Sequence, residues 1–402
     1  MKQEMEISYC RELFQRFEPI GALKDGGVTR LGYTDTEDQM HALFRKQAEQ
    51  LGLHFCTDEA GNDYAENTAG DAYLIGSHLD SVIDGGRYDG VSGVIAGLLI
   101  AKRAKEEGLQ IPLRIAAWRC EESSRFGCAT IGSSLVTGHQ GSDQLADLKD
   151  SEGITLGQVF HERGYSLNPP LIRNVRQYLE LHIEQGKSLE SRNLKAGIVT
   201  GIAAPHRWNA NIIGMADHSG ATPMDLRSDS LAAAAELILR VEQIGRQEPD
   251  SVATVGVIHN EPNVMNVVPG NTRIGIDLRS AKLSHLEHMD TCLKEKIAEI
   301  ETERGVKIHL SSVSRAEPVS LDEQVEHGLL QAAEKLGISA QYMISGAGHD
   351  AMMLADLVPT GMVFIPCEKG ISHNRLEKAD LKDVCLGADI MYEYLKGLEY
   401  AD

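Results

Sequence analysis

Apolar residues recur at helical spacing over 5–17 and 35–53. By contrast, DAYLIGSHLD and LRIAAW are short, nearly unbroken apolar runs ending in polar loops, as strands buried on both faces do. The intervening VSGVIAGLLIAKRAKEEGLQ reads as a crossover helix. Strand, helix, strand in that order predicts a parallel α/β layer, whose functional groups collect outside the carboxyl ends of the strands.

From Trp208 the rhythm changes. RWNANIIGMA, a helix over 228–247, SVATVGVIHN, NTRIGIDLRS, a helix over 285–304 and VKIHLSSVS follow one another. Strand, helix, two strands, helix, strand is the order of a ferredoxin-like α+β sandwich. From Asp322 the first rhythm resumes with VEHGLLQAAEKLG, GMVFIP and an amphipathic helix over 381–398. The expected fold class is therefore α/β: a discontinuous domain, 1–207 and 322–402, with a mostly parallel central sheet, interrupted by an inserted α+β domain over 208–321. The chain contains no internal repeat and no low-complexity linker.

Length agrees with two domains, because 402 residues exceed the roughly 250–300 at which a single core stops growing. A formal net charge of −20 disfavours nucleic acid and anionic membrane surfaces as partners. The opening MKQEMEISYCRELFQRFEP lacks the apolar segment of a signal peptide, and no run of about 18 apolar residues occurs. A cytoplasmic location is the expectation. Seven cysteines, an odd number without a C-x-x-C pair, point to buried free thiols rather than to disulfides or a thiolate zinc knot.

Candidate chemistry gathers where the apolar runs end. GSHLDSV sets His78 and Asp80 at a predicted strand end, an imidazole beside a carboxylate able to orient it. Alone, His78 reads more readily as a structural histidine. Asp89 in DGGRYDGVSG lies in a glycine-lined loop where a carboxylate can approach an ion, or it caps the helix that follows. Glu121 and Glu122 close the next apolar run, and adjacent buried acids are costly unless cations hold them. One of the pair would bind metal while the other accepts a proton from water. His182 in YLELHIEQG and His373 in GISHNR complete a set whose imidazole and carboxylate donors suit Zn²⁺, and also Mn²⁺, Co²⁺ or Ni²⁺. The chain lacks H-E-x-x-H, a G-x-S-x-G elbow, a Walker loop and a G-x-G-x-x-G after a strand.

The stretches GSHLDSVIDGGRYDG, EESSRFG, ELHIEQG, HSGATPMDLRSD, NVMNVVPG, SGAGHDA and GISHN run in order across nearly the whole chain. Together they resemble the M20 metallopeptidase-like amidohydrolases, and within them the branch of N-carbamoyl-L-amino-acid hydrolase, β-ureidopropionase and allantoate amidohydrolase. The resemblance implies two divalent ions bridged by Asp89, with His78, His182, Glu122 and His373 completing the ligands and Glu121 as general base. It also implies that the inserted domain serves as lid and dimerisation domain. His218, in its DHSGATPMD motif, would reach a homodimer partner's site and stabilise an oxyanion there. Asn266 and Arg279 match positions that hold the carboxylate of a small anionic substrate. Backbone groups around Gly348 would line the pocket.

A histidine at 182, where related peptidases carry an acid, favours an amidohydrolase over a peptidase. The expected activity is cleavage of a C–N bond in an N-carbamoyl or ureido acid. Alternatives are an M20-type dipeptidase, an N-acyl or N-formyl amino acid deacylase, and a noncatalytic ligand-binding protein, the last disfavoured by the presence of both Glu121 and Glu122. The chain departs from the branch at His206, where glutamine is usual and substrate contact is expected, and at Arg375, where proline is usual.

Overall fold

The computed structural model describes residues 2–399. Its strands are β1 (His54–Thr57), β2 (Asp63–Glu66), β3 (Ala72–His78), β4 (Leu113–Trp118), β5 (Val175–Ile183), β6 (Ala196–Ile202), β7 (Ala204–Ile213), β8 (Asp217–His218), β9 (Ser251–Glu261), β10 (Val267–Val268), β11 (Asn271–Ser280), β12 (Lys307–Arg315), β13 (Val319–Ser320), β14 (Ala340–Ser345) and β15 (Thr360–Ile365). Two compact units result. One gathers the residues up to Thr200, Leu321–Met343 and those from Gly348 onward; the other is Gly201–Ser320 with Ile344–Ala347. The division precedes the expected 207/208 because β7 already begins at Ala204 and carries Trp208 inside it.

A nine-stranded sheet runs in the order β1-β2-β4-β3-β5-β15-β6-β13, with β14 also pairing β6. Its centre, β4-β3-β5-β15, is parallel throughout. The pairings β1–β2, β2–β4, β15–β6 and β6–β13 that flank this centre are antiparallel. The fold is thus mixed α/β with a largely parallel central sheet. Every residue of β15 is buried, and so are all but the second of β4, as continuous apolar runs require when helices cover both faces. The helix Val91–Glu107 connects β3 to β4, and its residues from Val91 to Ala101 are all buried. It lies so near the sheet that a Cβ on Gly93 would stand 2.5 Å from the Leu181 carbonyl oxygen and 2.6 Å from Ser77 Cβ.

Element ends follow from local chemistry. The helix Asp35–Leu51 starts at the Thr34 cap and stops two residues short of expectation, because Gly52 turns left-handed (φ 78°) and caps it. The helix Ser230–Gln247 begins after 228 because Asp229 accepts from the Leu231 and Ala232 amides. Among the described residues no helix is long and apolar enough to cross a membrane.

The second unit holds a four-stranded antiparallel sheet, β12-β7-β11-β9. The helices Ser230–Gln247 and Leu283–Arg304 pack against it. Strict alternation in β7 and β11 sends the even-numbered residues, among them Trp208, Ala210, Ile212, Ile274, Ile276 and Leu278, into one apolar core with those helices. The seven cysteines are free. Cys10, Cys120, Cys367 and Cys385 are buried as expected, whereas Cys56, Cys128 and Cys292 are partly exposed, because they sit on an edge strand, a loop and an outer helix.

Candidate active site

The carboxyl ends of the parallel strands bring the predicted ligands together. His78 is the last residue of β3, His182 the penultimate residue of β5, and Glu121 and Glu122 follow β4. Asp89 Oδ1 lies 2.9 Å from His182 Nε2 and 3.5 Å from His78 Nε2, and Oδ2 lies 3.3 Å from His373 Nε2. His373 Nε2 is also 3.3 Å from Glu122 Oε1. Two sets of ligand atoms each converge within 4.8 Å, His78–Asp89–His182 and Asp89–Glu122–His373, and they share Asp89. A third set, Glu180–His182–His349, is less suited to a cation. Ser77 Oγ, Tyr178 Oη and the Ala351 amide already donate to the Glu180 carboxyl, which burial pushes above its ordinary range.

Hydrogen bonds aim the rings. His182 Nδ1 donates to the Ile183 carbonyl at 2.9 Å and His78 Nδ1 to the Asp80 carbonyl at 3.2 Å, which turns Nε2 of both rings toward Asp89. Asp80 also stands at the foot of the acidic pair, accepting from the Glu121 and Glu122 amides at 3.0 Å each. Backbone strain gathers here: Cys120, Gln185 and His373 all have positive φ, at 52°, 56° and 52°. Gly90 is required, since a Cβ there would stand 2.5 Å from His78 Cε1. Replacing Asp80 by Ala keeps the backbone carbonyl but removes the carboxylate, whose Oδ1 is 3.3 Å from His78 Nδ1 and which holds the Glu121 and Glu122 amides. Metal binding or activity should weaken about 10–100-fold, the usual effect of losing a group that orients a ligand. Competition with a chelator measures it, and an unchanged dissociation constant would dismiss the role.

The charges fit cations. Burial alone would raise Asp89, yet His182, His373 and His78 together hold it well below the usual carboxylate range. Burial disfavours a charged His78, but Asp80, Asp89 and Glu121 lift it well above an ordinary imidazole; burial opposes charge on His182 too, and Asp89 raises it above the ordinary value. His373 is raised to about 11 by Asp89 and then Glu122. Positive charge is thus favoured at the Nε2 atoms, where a divalent ion would replace protons. Glu121 is 7% exposed, and burial, with Glu122 and Asp350 adding to it, pushes its carboxyl well above its ordinary range against the pull of His78.

Three contributors were not among the expected site residues, although Gln185 and His349 lie within the ELHIEQG and SGAGHDA stretches. Glu377 accepts from the Tyr88 and Asp89 amides at 2.9 and 3.1 Å and so shapes the Asp89 loop. Gln185 Nε2 donates to Asp89 Oδ2 at 2.9 Å and lies 3.2 Å from His373 Nε2. His349 is buried with its ring 4.5 Å from that of His182, which puts the predicted Gly348 one residue from this centre.

In the second unit, His218 and Val267 are paired across the β8–β10 ribbon, and the Ser219 amide donates to the Asn266 carbonyl, so His218 and Asn266 are neighbours. His218 Nδ1 accepts from the Gly220 and Ala221 amides at 3.1 Å each, which fixes the tautomer that carries a proton on Nε2. Arg279 stands on the sheet face turned away from the helices, where Asp277 holds it and Arg207 alike, at 3.1 and 3.2 Å. Arg207 was not singled out by motif. His206 is a correction: an even-numbered residue of β7, it is 2% exposed and turned toward the helices, and Nδ1 pairs with Asp290 Oδ2 at 2.8 Å. It is an interior residue, not a substrate contact. Arg375 is bound to Asp84 through Nε at 2.9 Å.

Residues 74–397 match the model of peptidase family M20/M25/M40. The chain belongs to this family. Among family relatives, the chain is 36% identical to an N-carbamoyl-L-amino acid amidohydrolase of Geobacillus stearothermophilus, over 94% of this chain and 96% of that one. It is 34% identical to the allantoate amidohydrolase of Bacillus subtilis (strain 168), over 99% and 100%. A solved structure of an amidase of the hydantoinase/carbamoylase family from Burkholderia multivorans superimposes with a TM-score of 0.91 at 32% identity, covering 97% of each chain. Family membership and the two ligand sets support divalent metal binding.

Proposed function

We propose that this enzyme hydrolyses the C–N bond of a small N-carbamoyl or ureido acid, with two divalent ions, Zn²⁺ first among them, held by His78, Asp89, His182, Glu122 and His373. It is a metal-dependent amidohydrolase: its relatives are named amidohydrolases, and its family membership and ligand sets support a divalent metal. The observation that carries the reading is the pair of ligand sets sharing Asp89 with Glu121 beside them. When bound, the ions would supply Lewis acidity for the scissile carbonyl and acidify the attacking water. Glu121, which ligates neither set, takes the proton from that water and returns it to the leaving nitrogen, so that water's proton and hydroxyl are divided between the products. With an N-carbamoyl amino acid these are the amino acid, ammonia and carbon dioxide. Arg279, Arg207 and the Asn266 amide offer donors to the substrate carboxylate.

The test is hydrolysis by Zn²⁺- or Mn²⁺-loaded enzyme, read as ammonia release from N-carbamoyl-L-amino acids, 3-ureidopropionate and allantoate and as newly freed amino groups from N-acetyl and N-formyl amino acids and a dipeptide. Metal-dependent release from the ureido compounds is expected. Cleavage of the dipeptide alone would overturn the reading.

The second unit serves, in this proposal, as the surface of a homodimer through which His218 reaches the partner's substrate. Support comes from β9, an edge strand of the four-stranded sheet that exposes Val252, Val257 and Ile258; such an edge invites pairing unless covered. Near the His218 turn, Met224, Leu226 and Met265 are also exposed. The tautomer of His218 presents a donor suited to an oxyanion. His218→Ala should lower kcat about 10²–10³-fold, as loss of one oxyanion donor does. Metal content should stay unchanged. Mixing His218→Ala with Glu121→Gln subunits should restore part of the rate; no restoration in a mixed dimer would place the histidine in its own subunit's site.

A further inference from the structure

A second group of metal-ligating side chains stands apart from the Asp89 centre. In the β1–β2 hairpin, His54 pairs with Glu66 and Cys56 with Tyr64. Residues two apart on a strand share a face, and so do directly opposed residues, so His54, Cys56 and Glu66 stand on one side of the hairpin. One ligand atom from each lies within 4.8 Å of the others. The carboxylate is already oriented: Arg114 Nε donates to Glu66 Oε2 at 2.7 Å, while Oε1 is 3.8 Å from His54 Nδ1. Glu66 is itself the register partner of Arg114 across β2 and β4, so one oxygen is tied down and the other is offered to the histidine.

We propose that His54, Cys56 and Glu66 form a separate site for a thiophilic divalent cation such as Zn²⁺. Thiolate, imidazole and carboxylate are the donors Zn²⁺ takes, at about 2.3 Å from sulfur and 2.0–2.2 Å from nitrogen and oxygen, so ligand atoms around it stand roughly 3.5 Å apart. The ligand atoms stand within 4.8 Å of one another, and the His54 side chain, 74% exposed, has room to move toward an ion. Three protein ligands leave the fourth position to water. Burial, and then Glu66, hold the Cys56 thiol above its ordinary range, so without an ion it keeps its proton; a cation that binds must displace that proton to solvent. The thiolate and the carboxylate together neutralise the ion, which offsets the repulsion from Arg114. A bound ion would tie β1, the edge strand, to β2.

Sulfur separates this site from the catalytic one, whose proposed ligands are all nitrogen and oxygen. The full-length enzyme is titrated with Co²⁺ and its near-ultraviolet absorption followed for thiolate-to-cobalt charge transfer, with metal content after dialysis read by mass spectrometry. The band is expected in the wild type and in Cys128→Ser, absent in Cys56→Ser and weakened in His54→Ala. Cys56→Ser should also retain one equivalent of metal fewer, with hydrolysis at the Asp89 centre unchanged. His54 is exposed on an edge strand, so its removal tests the site without disturbing the core. Absence of a sulfur-to-cobalt band in the wild type, or its persistence in Cys56→Ser, would overturn the proposal.

Discussion

An Asp89→Ala enzyme is expected to purify without its catalytic ions and to lose more activity than the removal of a general base, about 10²–10⁴-fold, would cause. Asp89 is the one residue common to both ligand sets. Its two oxygens divide between His78 and His182 on one side and His373 on the other, so a single truncation strips a ligand from each ion. The variant also leaves His78 and His182 buried without the carboxylate that stabilises their positive charge. Since that loss bears on folding as well, Asp89→Asn provides the control: it keeps the shape and the link to Gln185 Nε2 through its carbonyl oxygen, but removes the charge. Metal content by mass spectrometry, with circular dichroism for the fold, decides the matter. A folded Asp89→Asn enzyme that kept its full metal complement would refute the bridging role.

Glu121→Gln is expected to do the opposite, retaining metal while turnover falls about 10²–10⁴-fold. Glu121 Oε2 is 3.8 Å from His78 Nε2, near the ligands yet outside both sets. Its backbone stays fixed because the amide, not the side chain, is held by Asp80. Glutamine preserves volume and cannot accept and release the proton. Full activity in the metal-loaded variant would remove Glu121 from the mechanism, and loss of metal would make it a ligand instead.

Much of this centre was legible before any coordinates. Continuous apolar runs marked β3 and β4 as buried parallel strands, and the polar residues just past their ends were therefore the ones to inspect. The structure brings His78, Asp80, Asp89, Glu121, Glu122, His182 and His373 together beside those strand ends. His206 was misread because a motif position carries no sign of which face of a strand it occupies; the phase of alternation in β7 decides that, and it follows from the apolar positions at 208, 210 and 212. The contacts of Glu377, and of Gln185 within ELHIEQG, were illegible for another reason. Their partners, the amides of 88 and 89 and the ring of His373, are distant in the chain and announce themselves only in three dimensions. The same holds for Arg207, whose pairing with Asp277 depends on the β7–β11 register.

The position of β15 between β5 and β6 bears on how the protein is made. Nearly all of the inserted unit is synthesised before the strand that must slide between two earlier ones emerges from the ribosome. Until residue 365 is available, β5 and β6 face each other with their shared neighbour missing, and His373 has not yet been added. Metal capture by the complete ligand set is therefore a late event of biogenesis, after the inserted unit has had time to fold on its own core. An enzyme built this way acquires its reactivity only after residue 373 has been added, and a product that stopped short of β15 would be left with an open sheet edge and an incomplete set of ligands.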